Sequence, residues 1–170
     1  MNFIHSSIPS LWGLIDNAVL AWGLLACGLA QFSKLIIELI QYRQWRPAVL
    51  LETGGMPSSH SALVTGTASG VGIQLGFDHP AFAVAATFAF VVMYDASGIR
   101  RAAGLTAERI NQLSLESGPS TSLKPLKESL GHTRLEVFVG SLIGPLVVLP
   151  GIIFVGSPLH LLQTLGLIVG

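Results

Sequence analysis

Charge is what this sequence is shortest of. Only 11% of its 170 residues are Asp, Glu, Lys or Arg, against roughly 25% in a typical soluble domain. A chain so poor in charge cannot clothe a globular surface in polar side chains, so much of that surface must face lipid. A hydrophobic content of 51% and a mean hydropathy of +0.66 agree. Cysteine is nearly absent as well. The single Cys27 lies in an apolar stretch, which excludes a disulfide framework and a cysteine metal cluster. Net charge is zero, so no general case exists for nucleic acid or other acidic partners. No basic residue precedes the first apolar run, which argues against a cleaved signal peptide.

What is present is a set of apolar runs of membrane-crossing character. The first spans Ile8 to Phe32, broken by Asp16 and Asn17, and continues as an amphipathic stretch, Lys34–Tyr42, emerging at the interface. The run Thr53-Gly54-Gly55-Met56-Pro57 is a turn. A second segment, Ser58 to Phe77, is rich in glycine and alanine; small residues let helix backbones approach closely in lipid, so this helix belongs at the centre of the bundle. The third, Ala81 to Tyr94, continues to Ala103, with an amphipathic stretch at Leu105–Leu113. Ser114–Ser122 reads as a loop, and Lys124–Gly131 leads to a fourth segment. That fourth segment, Thr133 to Val155, is interrupted by Pro145 and Pro150. The fifth, Leu159–Val169, is only long enough for a half-helix. The expectation is an all-α integral membrane protein, one domain over residues 1–170, with about four to five short transmembrane helices.

All nine lysines and arginines fall between segments one and two or between segments three and four, which alternating spans place on one side. The other side carries the Asp78–Pro80 and Gly156–Pro158 turns and has no basic residue. By the positive-inside rule the basic side is cytoplasmic. An anion site would gather cations there in either orientation.

Three polar clusters share that side. In Gly54-Gly55-Met56-Pro57-Ser58-Ser59-His60-Ser61, Pro and Ser open an apolar helix. This is ordinary helix-start chemistry, and equally the start of an anion site built from free N–H groups, with His60 as proton donor. In Gly131-His132-Thr133-Arg134-Leu135-Glu136, His132 and Glu136 stand one helical turn apart. The carboxylate can hold Nδ1–H and leave Nε2 as nucleophile or base, or the pair merely ends a helix. In Tyr94-Asp95-Ala96-Ser97-Gly98-Ile99-Arg100-Arg101, the arginines are either interface anchors or fork-shaped phosphate donors. Asp95 can hold one of them, and Lys34 adds a further cation.

The order of these clusters resembles the type 2 phosphatidic acid phosphatase superfamily, which includes the vanadium-dependent haloperoxidases. It is most similar to the divergent branch of small acid phosphatase/haloperoxidase-related membrane proteins. The strings that carry the likeness run from Lys34 to Glu136. The resemblance implies His132 as a nucleophile forming a phospho-histidine, Glu136 orienting it, and His60 protonating the leaving alcohol and then activating water. It implies Lys34, Arg46 and the N–H groups of Ser58 and Ser59 as the phosphoryl clamp, with no metal or cofactor. Departures exist. Glu136 replaces an aspartate, and Ser59 stands where the family has glycine. Leu126 occupies the position of a Ser-Arg pair, so Arg100 and Arg101 are candidates to supply that cation, and the spacing from Lys34 to Arg46-Pro47 is longer than the family's.

Three functions follow as expectations. The first is a metal-independent phosphatase of a lipid phosphate monoester, its partners being that phosphorylated lipid and the membrane. The second is a protein that binds or transports such a lipid without hydrolysis. The third is a metal site from His60, Asp95, His132 and Glu136, a mixed set that suits zinc or manganese. Haloperoxidase chemistry does not fit a chain with so little outside the membrane.

Overall fold

A computed structural model describes residues 13–14, 16–43, 45–51, 54–116 and 124–167. These residues form an all-helical bundle. Helix α1 is Ala18–Tyr42, followed by a 3-10 turn, Pro47–Leu51. Then come α2, Ser59–Leu75; α3, Pro80–Ser97; α4, Ile99–Glu116; α5, Arg134–Pro150, which runs on as a π turn, Gly151–Val155; and a short α6, Pro158–Thr164.

Local chemistry sets the helix limits. Asn17 caps α1 through its side chain, accepting from the Leu20 N–H at 2.9 Å, and Arg43 ends it in the left-handed region. The run expected from Ile8 therefore breaks at Asp16-Asn17. Residues 1–12 and Ile15 lie outside the described residues; from Ala18 onward one helix runs through Tyr42, with Lys34–Tyr42 as its expected continuation. Ser58 caps α2, and His79 caps α3 with Pro80 in the first turn. Pro145 sits inside α5 without interrupting it, which a bundle tolerates where neighbours satisfy the carbonyl a proline frees. At Pro150 the α-helix does give way, to the π turn that follows directly. Ser114 to Glu116, expected in a loop, complete α4; the rest of that loop falls at residues 117–123, outside the described ones.

Helix α2 sits in the middle, packed by α1, α3 and α5. Its small residues explain how. A side chain added at Gly66 would press on Gly144 and Val148 of α5, and one at Gly144 would meet the Ala62 carbonyl and Gly66. Close backbone approach of this kind is how helices associate in lipid. The buried residues are correspondingly mostly Ala, Val, Gly and Ser, whereas Leu24, Phe88, Phe90, Leu146 and Phe154 point outward. Large apolar side chains outside and small ones inside is the pattern of a protein whose solvent is hydrocarbon. Three helical stretches, Ala18–Tyr42, Pro80–Leu115 and Arg134–Val155, are long and apolar enough to cross a membrane. The second is broken at Gly98, beyond which α4 carries Arg100, Arg101, Glu108 and Arg109. Its 36 residues would reach about 54 Å if straight, well past a roughly 30 Å hydrocarbon core.

At the far end of the bundle the C-terminal hook is tied back to α1. Trp22 donates from Nε1 to the Gly156 carbonyl at 2.8 Å, and the Asp16 carboxylate accepts the Leu159 N–H at 2.9 Å. Asp16 and Asn17 are thus both capping residues.

Candidate active site

Three helix ends converge to build the site. The Ser58 N–H donates to the Glu136 carbonyl at 3.0 Å, joining the start of α2 to the first turn of α5. The His132 N–H donates to the Ala96 carbonyl at 2.9 Å, joining α5 to the end of α3. Gly131 makes the turn into His132 with φ +79°, and its Cα lies so close to the backbone of Arg100 and Arg101 that a Cβ would collide there. Glycine is required on both counts.

His132 is 3% exposed. Its Nδ1 is 2.9 Å from Glu136 Oε2, which puts the ring proton on Nδ1. Nε2 is buried and has no hydrogen-bond partner among the described residues. Glu136 is itself fixed by a capping box: Oε2 accepts the Thr133 N–H at 3.2 Å, and Thr133 Oγ1 accepts the Glu136 N–H at 3.2 Å. The Thr-x-x-Glu signature of this box is readable in the sequence and assigns Thr133 a place that the His-x-x-x-Glu reading overlooks. His132 precedes α5 and lies outside the spans. Burial pushes its pKa below the ordinary 6.5, and the nearby Lys34 charge pushes the same way. The Glu136 hydrogen bond and charge, and the Gly55 backbone, oppose them without prevailing. The imidazole is neutral at neutral pH, the state in which Nε2 carries a lone pair.

A narrow cleft lined by His60, Val92, Ala96, Arg100, Gly131 and His132 opens onto this ring. Lys34, 3% exposed, acts electrostatically on both His60 and His132. The structure therefore brings His60, His132, Glu136, Lys34 and Arg100 together. Arg100 is at the same time ion-paired through Nε to the Asp95 carboxylate. Arg101, one position on and so turned by about 100°, lines a separate polar cleft behind Glu136 with Glu108, Glu128 and Thr133.

The other expected clamp residues are placed differently. Arg46 pairs with Glu38 at 3.0 Å on the exposed side of α1, because Glu38 offers it a carboxylate at the helix surface. The Ser58 N–H, expected to face a phosphoryl oxygen, is committed to the Glu136 carbonyl. The Ser58 side chain caps the Ser61 N–H and pairs with the Ser61 hydroxyl. Ser59 is buried, with its hydroxyl against the Cys27 thiol. The first-turn N–H groups of Ser59 and His60 have no intrahelical acceptor, as at any helix start. The four residues of the supposed metal set do not form one: Asp95 turns to Arg100, and among the described residues no three His, Cys, Asp or Glu side chains are placed to hold an ion.

An all-helical integral membrane protein, with a carboxylate-backed histidine facing a second histidine and two cations, is the class this fold and site define. Within that class the chain belongs to the Divergent PAP2 family, which it matches over residues 15–147. It is also 40% identical over 149 residues to the uncharacterized membrane protein YuiD of Bacillus subtilis (strain 168), covering 80% of this chain and 94% of that protein. No solved structure matches.

Proposed function

We propose that the protein is a membrane phosphatase that hydrolyses a lipid phosphate monoester through a phospho-histidine on His132. One observation carries this reading: a buried His132 whose Nδ1 is held by Glu136 and whose Nε2 has no partner among the described residues. Burying a polar atom without a partner costs about 1–3 kcal/mol, a cost expected where the atom has work to do. Nε2 attacks phosphorus, the bond from phosphorus to the alcohol oxygen breaks, and His60 gives that oxygen its proton. Water then attacks the phospho-histidine with His60 taking a proton. The P–N bond breaks, and inorganic phosphate leaves. Lys34 and Arg100 offset the charge that develops on the phosphoryl oxygens. Because the basic residues cluster at the site's end of the bundle, the positive-inside rule supports a cytoplasmic opening.

The test is phosphate release by purified protein from phosphatidic acid, phosphatidylglycerophosphate and a prenyl phosphate, with and without chelator and vanadate. Turnover should survive chelation and be blocked by vanadate. His132→Ala should lower it by at least about 10³-fold, and acid quenching of wild type should trap phospho-histidine. Unchanged turnover in His132→Ala sinks the mechanism. A second reading, non-hydrolytic binding of the same lipids, is favoured by Arg46 pairing with Glu38 and Arg100 with Asp95. Tight binding with no turnover of any of the three lipids would select it.

A further inference from the structure

Beside the histidine cleft runs a larger apolar groove of about 650 Å³, between α3 and α5. Because α3 ends where α5 begins, Ser97 and Arg134 mark its end nearest the site, and Phe90 and Ser141 mark its far end. Seven residues on each helix separate the two ends, a length of about 10 Å. The walls are aromatic and outward-facing: Phe90 is 71% exposed, Tyr94 75% and Phe138 59%. Both helices belong to stretches of membrane-crossing length, so hydrocarbon fills this groove whenever the protein is in a bilayer. Its polar end is what singles out one hydrocarbon chain. Asp95 lines the groove, and its ion-pair partner Arg100 lines the histidine cleft. That pair is the shared wall between a seat for an apolar chain and a site for a phosphoryl group.

We infer that the α3–α5 groove seats the first part of the hydrocarbon chain of the phosphorylated lipid, with the phosphoryl group reaching Nε2 of His132 past Arg100 and Ser141 lying at the far end of the seated part. The inference rests on the phosphate-site reading above. Ser141 is well suited to this place. Its hydroxyl is spent on the Phe138 carbonyl of its own helix at 2.7 Å, so it is small, offers the groove little polarity and contributes nothing to the histidine cleft. A charge-neutral partner protein would have no use for the Asp95 and Arg134 end. A lipid phosphate needs both ends.

Two measurements test this. In the first, kcat/KM is determined for a long-chain phosphatidic acid and for the water-soluble p-nitrophenyl phosphate, in wild type, Ser141→Trp, Ser141→Ala and Phe138→Ala. An indole at the far end occupies the space the seated chain needs, so by steric exclusion Ser141→Trp should lose about tenfold or more on the long-chain lipid. It should stay within about twofold of wild type on p-nitrophenyl phosphate, and Ser141→Ala should match wild type on both. Phe138→Ala, which removes one wall, should weaken the long-chain lipid alone and covers the case in which Ser141→Trp fails to fold. Equal losses on both substrates overturn the inference. In the second, phosphatidic acid carrying a diazirine near the ester end of its acyl chain is photolysed with the protein and the labelled peptides are mapped. Label should fall on residues 90–97 and 134–141 and be lost in Ser141→Trp. Label elsewhere, or cross-links joining two protein copies through these residues, overturns it. Labelling needs no turnover, so a chain that binds in the groove without being hydrolysed defeats the phosphatase reading and leaves the groove assignment standing.

Discussion

A histidine that is to act as a nucleophile must be neutral, correctly tautomerised and accessible at one nitrogen. His132 meets the first two through its surroundings: burial and Lys34 disfavour the imidazolium, and Glu136 accepts from Nδ1. The pH consequence has a definite sign. Protonation disables Nε2, and the depressed pKa moves that loss below the ordinary 6.5, so the acid limb of kcat/KM is expected under that value. In Glu136→Gln two influences that raise the pKa disappear, and the limb should move to still lower pH, while kcat falls by about 10²- to 10⁴-fold because the tautomer is no longer held. Comparing the pH profiles of the two proteins isolates His132 from the ionisation of the substrate. A limb that moves upward in the variant contradicts the assignment.

Helix packing makes a sharper demand than any one contact. At the crossing of α2 and α5, a Cβ on Gly140 would run into the Ser58 backbone and one on Gly144 into the Ala62 carbonyl. Neither obstacle is the tip of a flexible side chain, so the helices themselves must move apart. Gly144→Val should destabilise the protein by about 1–3 kcal/mol, read as a lower thermal midpoint in detergent. Gly28, whose added Cβ meets nothing within 4 Å, is the matched control, and Gly28→Ala should leave the midpoint unchanged or raised. Because Gly140 packs against Ser58, Gly140→Ala should in addition lower turnover, through displacement of the two helix starts that position His60 and His132. A second anchoring point lies beyond the break at Gly98. Asn111 of α4 donates to the Leu126 carbonyl and to Glu128 and accepts the Leu126 N–H, which ties the extended segment 124–131 to α4 and so steadies the approach to His132.

On the scale of the whole molecule, the basic residues and the site occupy one end of the bundle, and the Asp78–Pro80 and Gly156–Pro158 turns the other. Single cysteines introduced into a Cys27→Ser background should show this by labelling with a membrane-impermeant thiol reagent in sealed vesicles. Asp78→Cys and Ser157→Cys should react from one side, Lys124→Cys and Lys127→Cys from the opposite side, and the latter pair should be cytoplasmic. Asp78→Cys and Lys124→Cys reacting from the same side would break the topology. If the two groups react from opposite sides with Lys124→Cys external, the bundle stands and the orientation is reversed.

Membrane residence, helical class and the His132–Glu136 pair were legible in the sequence because each rests on composition or on local spacing: too little charge to make a water-facing surface, glycine and alanine along α2, His132 and Glu136 one turn apart. The break at Asn17 and the capping box at Thr133 were local too, and readable from the same rules. What only the tertiary structure decided is which cations share space with the histidines. Lys34, 98 positions before His132 in the chain, reaches the site, whereas Arg46, nearer to His60 in sequence, is held by Glu38. Adjacent Arg100 and Arg101 line different clefts. Backbone propensity and hydrophobic period act over a few residues and so can be read along the chain. The choice of partner for a long charged side chain depends on which helix ends the fold brings together, and the Glu136–Ser58 and His132–Ala96 hydrogen bonds that bring them together appear only once the bundle has closed.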